Sequence, residues 1–110
     1  MSIATHRLEV LAELADTVAA RRSASPDISY TAKLLSQGVE KCAKKFGEEA
    51  VELALASVLR EKPHTTAEAA DVLYHFLVAL QATDVPLQTV LNELQRRTGM
   101  TGHDEKAARG

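Results

Sequence analysis

Two pairs of carboxylates at helical spacing constrain this chain more than any other feature. Glu49 and Glu52 lie three residues apart, with Glu48 four before Glu52, and Glu68 and Asp71 repeat the three-residue interval. On a helix such residues share one face about a turn apart. The segment holding Glu68 and Asp71 is otherwise strongly apolar, through Ala67, Val72, Leu73, Phe76, Leu77 and Leu80. A helix apolar nearly all round is normally buried, and a carboxylate on it is costly unless it is paired or bound to a metal. Asp71 is therefore expected to be a buried charge that needs a partner. If the two helices pack antiparallel, the pairs face each other across one cleft and raise each other's pKa values. A divalent cation removes that repulsion, and an all-oxygen ligand set favours Mg²⁺, with Mn²⁺ as the alternative. The competing reading is ordinary: Glu48, Glu49 and Glu52 form a solvated helix face, and Glu68 closes a capping box with Thr65 as N-cap.

What surrounds these residues is helix. Ala and Leu abound, β-branched runs are absent, and no tryptophan occurs among the 110 residues, a pattern that favours an all-α fold in one domain. A net charge of −2 argues against a dedicated nucleic-acid binder. A single cysteine, Cys42, excludes an intrachain disulfide, suits a reducing compartment and is expected to pack as a small buried apolar group. Glu9, Glu13 and Asp16 interrupt the first apolar segment, so it does not read as a signal peptide, and no stretch has the length of a membrane span. The expectation is a cytoplasmic protein that binds neither nucleic acid nor membrane.

Taken in order, Ile3, Leu8, Leu11, Leu14, Ala15 and Val18 predict an amphipathic helix from about Ser2 to Arg22, ended by the Ser23–Asp27 turn. Ser29 is expected to cap a short second helix that stops at Gly38. A third is expected from about Val39 to Arg60, since Pro63 makes continuation beyond Lys62 unfavourable. Gly47 lies inside it, either to let something approach closely or as a tolerated flaw. A fourth is expected from about Thr66 to Ala82, with His75 on the Glu68–Asp71 side as a ligand, a donor to one, or a satisfied core residue. A fifth follows Pro86, with Leu87, Val90, Leu91 and Leu94 as its apolar face and Gly99 as its stop. The result is a four-to-five-helix bundle over residues 1–99, followed by a tail, 100–110, expected to be disordered. A bundle this thin often needs a second copy to finish its core, so a homodimer is expected.

The lysines turn the metal reading toward phosphate chemistry. Lys41 and Lys45 lie four apart, one to two turns before the glutamates, where they can hold phosphate oxygens beyond the reach of a metal. Taken singly, each reads as solvated helix surface equally well. A ferritin-like di-iron site is disfavoured because it needs two Glu-x-x-His motifs, and His75 falls four residues after Asp71.

At these residues the chain resembles a known family. The run Glu48-Glu49-x-x-Glu52 followed by Glu68-x-x-Asp71 is similar to the metal signature of the MazG-like all-α nucleoside triphosphate pyrophosphatases. Ser29-Tyr30-Thr31-Ala32-Lys33-Leu34-Leu35, Gly38, Glu40-Lys41, Lys44-Lys45-Phe46-Gly47 and the run from Asp71 to His75 narrow the resemblance to phosphoribosyl-ATP pyrophosphatases. The resemblance covers roughly Leu8 to Gly99. It implies that Glu49, Glu52, Glu68 and Asp71 are magnesium ligands, and that Glu48 orients or deprotonates the attacking water. It also implies that Lys33, Lys41 and Lys45 bind a small-molecule nucleotide substrate. The implied reaction cleaves the α–β phosphoanhydride of phosphoribosyl-ATP to phosphoribosyl-AMP and pyrophosphate, the second step of histidine biosynthesis. With no room for a fused cyclohydrolase, the resemblance implies the stand-alone form. Two alternatives stay open at this point: a housekeeping pyrophosphatase acting on ordinary or damaged nucleotides, and a helical interaction module without activity.

Overall fold

The computed structural model describes residues 3–98, with side chains from residue 9 onward. Five helices follow in order: α1 (Ile3–Arg21), α2 (Tyr30–Ser36), α3 (Val39–Leu59), α4 (Lys62–Ala82) and α5 (Leu87–Arg97), with no strand among the described residues. The all-α expectation holds. The long antiparallel pair α3 and α4 is the spine, α1 and α2 pack on α4, and α5 touches the rest least.

Local chemistry sets the boundaries. Ser29 Oγ accepts a hydrogen bond from the Ala32 amide at 3.1 Å, which starts α2 as expected. Gly38 then ends α2 and opens α3 with a single residue, at φ +95° and ψ 171°, a conformation almost confined to glycine. Its carbonyl accepts the Cys42 amide at 3.2 Å. After α3, Arg60 takes the left-handed conformation that closes the helix. The capping box at Thr65 and Glu68 is not formed. Helix α4 starts one turn earlier, at Lys62 with Glu61 as N-cap and Pro63 in its first turn, and the Thr65 amide already bonds to the Glu61 carbonyl at 2.8 Å. Proline's fixed φ and missing amide hydrogen suit that turn, so Pro63 opens α4 as well as separating it from α3. Pro86 plays the N-cap of α5, while the stop expected at Gly99 and the tail lie outside the described residues.

The core is small. Val18, Leu34, Cys42, Leu77 and Val78 are buried together, with Leu11, Leu14, Leu35, Tyr74, Phe76 and Leu80 packed around them. The Cys42 thiol donates to the Leu34 carbonyl at 3.2 Å, and burial pushes its pKa up. The Arg22 guanidinium pairs with Asp84 and donates to the Gln81 carbonyl, tying the end of α1 to the α4–α5 corner. All core residues of α4 lie between Tyr74 and Ala82, so its first half lies outside that core. The radius of gyration, 16.0 Å, exceeds the ~13 Å of a compact chain near this length. Helix α3 accordingly leaves Val51, Leu55, Val58 and Leu59 between 59% and 77% exposed on the side away from α4.

Candidate active site

The site forms where the first half of α4 runs beside the middle of α3. Residues three and four apart present their side chains to the same neighbour, and the antiparallel packing sets Glu49 of α3 against Glu68 and Asp71 of α4. One oxygen from each of these three carboxylates lies within 4.8 Å of the others. Among the described residues, no lysine or arginine forms an ion pair with any of the three. Burial, then the neighbouring Glu52 and Asp71, push the Glu49 pKa above its usual value. Glu68 is half-buried, and its Oε2 is sealed from solvent with no hydrogen-bond partner. A carboxylate with one orphaned oxygen, grouped with two further carboxylates, is the arrangement a hard divalent cation satisfies, so the residues present fit such an ion.

Of the four expected ligands, Glu49, Glu68 and Asp71 come together, and Glu52 sits beside Glu49 outside the cluster. Asp71 corrects one expectation. It is exposed, not a buried charge, because α4 is uncovered on part of its surface. Leu73, two residues on, is likewise 48% exposed. The apolar residues that made α4 read as buried all round therefore include some that this single chain leaves bare. Asp71 also forms no ion pair among the described residues, so a fold-anchoring pair does not explain it.

Glu48 is exposed and outside the cluster, with its Oε2 3.5 Å from the Lys45 ammonium. The pair is three residues apart on α3, as helix spacing allows. Lys45 is three-quarters covered, and nearby Tyr30, then Glu48 and Glu49, hold its pKa up against the effect of burial. The remaining lysines line a hollow of about 230 Å³ together with Lys45: Lys33 from α2 and Lys41 from α3, beside Tyr30 and Gln37. The three expected substrate lysines thus share one wall beside the carboxylates.

His75 is buried, 6% exposed, with Nδ1 unpartnered and its ring edge-on to Tyr74 at 4.9 Å. Burial, then Lys45, lower its pKa, which favours the neutral ring. It is neither in the carboxylate cluster nor a satisfied core histidine. The Tyr74 hydroxyl shares a hydrogen bond with Thr31 at 2.5 Å, which pins α2 and its lysine onto α4. Gly47 has nothing within 4 Å of where a side chain would start, so none of the described residues approaches it there.

One contributor went unseen in the sequence. His64 Nε2 lies 3.2 Å from Glu68 Oε1, and its Nδ1 lies 3.5 Å from Glu61. It holds one oxygen of Glu68 and so leaves the other turned inward. The signal was the four-residue interval from His64 to Glu68, visible only once α4 is known to begin before Thr66.

Comparison with known proteins gives a consistent result. Residues 11–98 match the family model described as phosphoribosyl-ATP pyrophosphohydrolase. A protein of Dinoroseobacter shibae named phosphoribosyl-ATP pyrophosphatase is 58% identical over 102 residues, covering 93% of this chain and all of the relative. One of Cereibacter sphaeroides with the same name is 56% identical over 103 residues, 94% of this chain and all of the relative. Another, of Paracoccus denitrificans, is 56% identical over 99 residues, 90% of this chain and 92% of its own length.

Proposed function

The chain belongs to the phosphoribosyl-ATP pyrophosphohydrolase family, and from that premise we propose how its carboxylate face performs the reaction. The activity is hydrolysis of phosphoribosyl-ATP to phosphoribosyl-AMP and pyrophosphate, in histidine biosynthesis. Glu49, Glu68 and Asp71 would hold a Mg²⁺ ion, or Mn²⁺ in its place, with Glu52 as a further ligand. The cluster of three carboxylates, with Glu68 Oε2 buried and unpartnered, is the observation that carries this reading. When bound, the ion supplies charge neutralisation at the polyphosphate. Lys41 and Lys45 take polyphosphate oxygens along the adjoining wall, and Lys33, which lines the same hollow, binds another part of the substrate. Glu48 lies at the edge of the cluster and accepts the proton of the attacking water as it is oriented toward phosphorus.

The active unit is a homodimer. Support comes from the bare α3 stripe of Val51, Leu55, Val58 and Leu59. Contiguous apolar surface of this kind marks an interface in a soluble protein. A second copy, present at the same concentration as the first, covers it by an isologous contact. The catalytic domain spans residues 1–99 and the enzyme works in the cytoplasm. Among the described residues, no helix is long and apolar enough to cross a membrane.

A pyrophosphate-release assay on phosphoribosyl-ATP, ATP and dUTP, each with Mg²⁺, with Mn²⁺ and with excess chelator, tests the reading. Turnover should favour phosphoribosyl-ATP and vanish in chelator. Full turnover without a divalent ion would refute the metal assignment, and a preference for dUTP or ATP would refute the substrate.

A further inference from the structure

The wall of lysines does not end at the first hollow. A second, of about 480 Å³, opens beneath the loop that precedes α2 and is lined by Pro26, Asp27, Ile28, Ser29, Tyr30 and Lys33. Tyr30 and Lys33 are the only residues common to both hollows, whereas Lys41 and Lys45 line the first alone. The Tyr30 side chain, 56% exposed, therefore stands as a partition. On one side of it lies the polyphosphate wall beside the carboxylates, and on the other a space that the proposed chemistry leaves unused.

The partition is firmly placed. Ser29 caps the helix at the residue before it, and Thr31, the residue after it, is hydrogen-bonded to Tyr74 of α4. The two charged residues of the second hollow, Asp27 and Lys33, are both exposed and neither has an ion-pair partner among the described residues. A carboxylate and an ammonium that leave each other unpaired in one hollow offer two separate contacts. The carboxylate accepts from neighbouring hydroxyls, and the ammonium donates to an anion. A ribose bearing a phosphate has both of those groups.

We propose that the hollow beneath Pro26–Ser29 receives the phosphorylated ribose that distinguishes phosphoribosyl-ATP from a plain nucleoside triphosphate. Asp27 accepts from the ribose hydroxyls, Lys33 holds the terminal phosphate, and the purine lies against the Tyr30 ring. The assignment rests on the substrate reading given above and adds the part of the molecule that reading leaves without a contact. The substrate carries phosphate at both ends, with the purine between, and the chain offers cations on both sides of an aromatic wall. Selectivity then comes from Asp27 and Lys33, and chemistry from α3 and α4.

The test measures kcat and KM for phosphoribosyl-ATP, with ATP scored as a competitive inhibitor, in the parent enzyme and in Lys33→Ala and Asp27→Asn. Both positions are exposed and unpaired, so neither change threatens the fold. KM for phosphoribosyl-ATP should rise about tenfold in each variant, the loss of one charged contact. The inhibition constant of ATP should move less than about threefold, and kcat should hold within about threefold. Equal weakening toward both nucleotides would make Lys33 a general phosphate contact and overturn the subsite, as would an unchanged KM or a loss confined to kcat. A parent enzyme inert on phosphoribosyl-ATP would overturn the substrate reading and the subsite together. An active parent with variants that discriminate no differently would overturn the subsite alone.

Discussion

Placing a charge on the bare face of α3 tests the dimer most directly, and Leu55→Asp is the change to make. Leu55 is 61% exposed in the single chain, in the middle of the stripe from Val51 to Leu59. Burying a whole leucine side chain is worth roughly 1.5–3 kcal/mol, so covering the exposed part of Leu55 contributes about 1–2 kcal/mol. A two-fold contact counts each position twice, giving about 2–4 kcal/mol before any cost of burying the new carboxylate. The dimer should then weaken by roughly 30- to 1000-fold. The monomer should be almost unaffected, because surface changes away from packed features stay within about 0.5 kcal/mol. Sedimentation equilibrium across a concentration series measures the dissociation constant, and circular dichroism confirms that helicity is kept. A variant that associates as tightly as the parent would refute the argument, because the stripe would then face solvent in the assembled enzyme too.

Three other outcomes follow from the site and its supports. Glu49→Gln should raise the melting temperature of the metal-free protein, because burial and the adjoining Glu52 and Asp71 disfavour the ionised carboxylate in the fold. The same variant should lose the further rise in melting temperature that Mg²⁺ gives the parent; a Mg²⁺ response equal to the parent's would remove Glu49 from the ligand set. His75 has a folded pKa below its ordinary 6.5. Under 6.5 the unfolded chain therefore holds more protons than the folded one, and stability falls as pH drops from there toward the folded value. Melting curves from about pH 5 to 7 should be flatter for His75→Phe than for the parent, and superimposable slopes would count against a buried neutral ring. Gly38→Ala should cost about 1–3 kcal/mol in urea denaturation despite open space around the new methyl, since the strain lies in the backbone.

Periodicity and punctuation marked the helices well where the chemistry has one meaning. Ser29 before an apolar run, and a glycine between two such runs, permit little else, and α2 and α3 begin and end close to where those residues point. Proline has two meanings. Pro63 was read as the barrier after α3, yet it also fits the first turn of α4, and the Thr65–Glu68 pattern offered a false start one turn later. That error hid His64, whose relation to Glu68 exists only if both are on one helix. The carboxylate cluster was legible because two three-residue intervals on facing helices can converge with no further information. The exposure of Asp71 was not, since apolar residues waiting for a second copy look the same in sequence as residues buried in the first.

Helix α3 has little room for neutral drift. Cys42, Phe46, Leu53 and Ala56 are committed to the rest of the chain, and Val51, Leu55, Val58 and Leu59 to the opposite side. The edge between these faces carries Lys41, Lys45, Glu48, Glu49 and Glu52. Between them, away from the carboxylates, runs a narrow edge of Ala43, Gly47 and Ala54, exposed and small. Substitutions accepted by selection along α3 should gather there and stay rare elsewhere on the helix. Gly47→Ala is the most permissive of them, because its new methyl meets no atom within 4 Å and it replaces the residue that costs a helix interior about 1 kcal/mol.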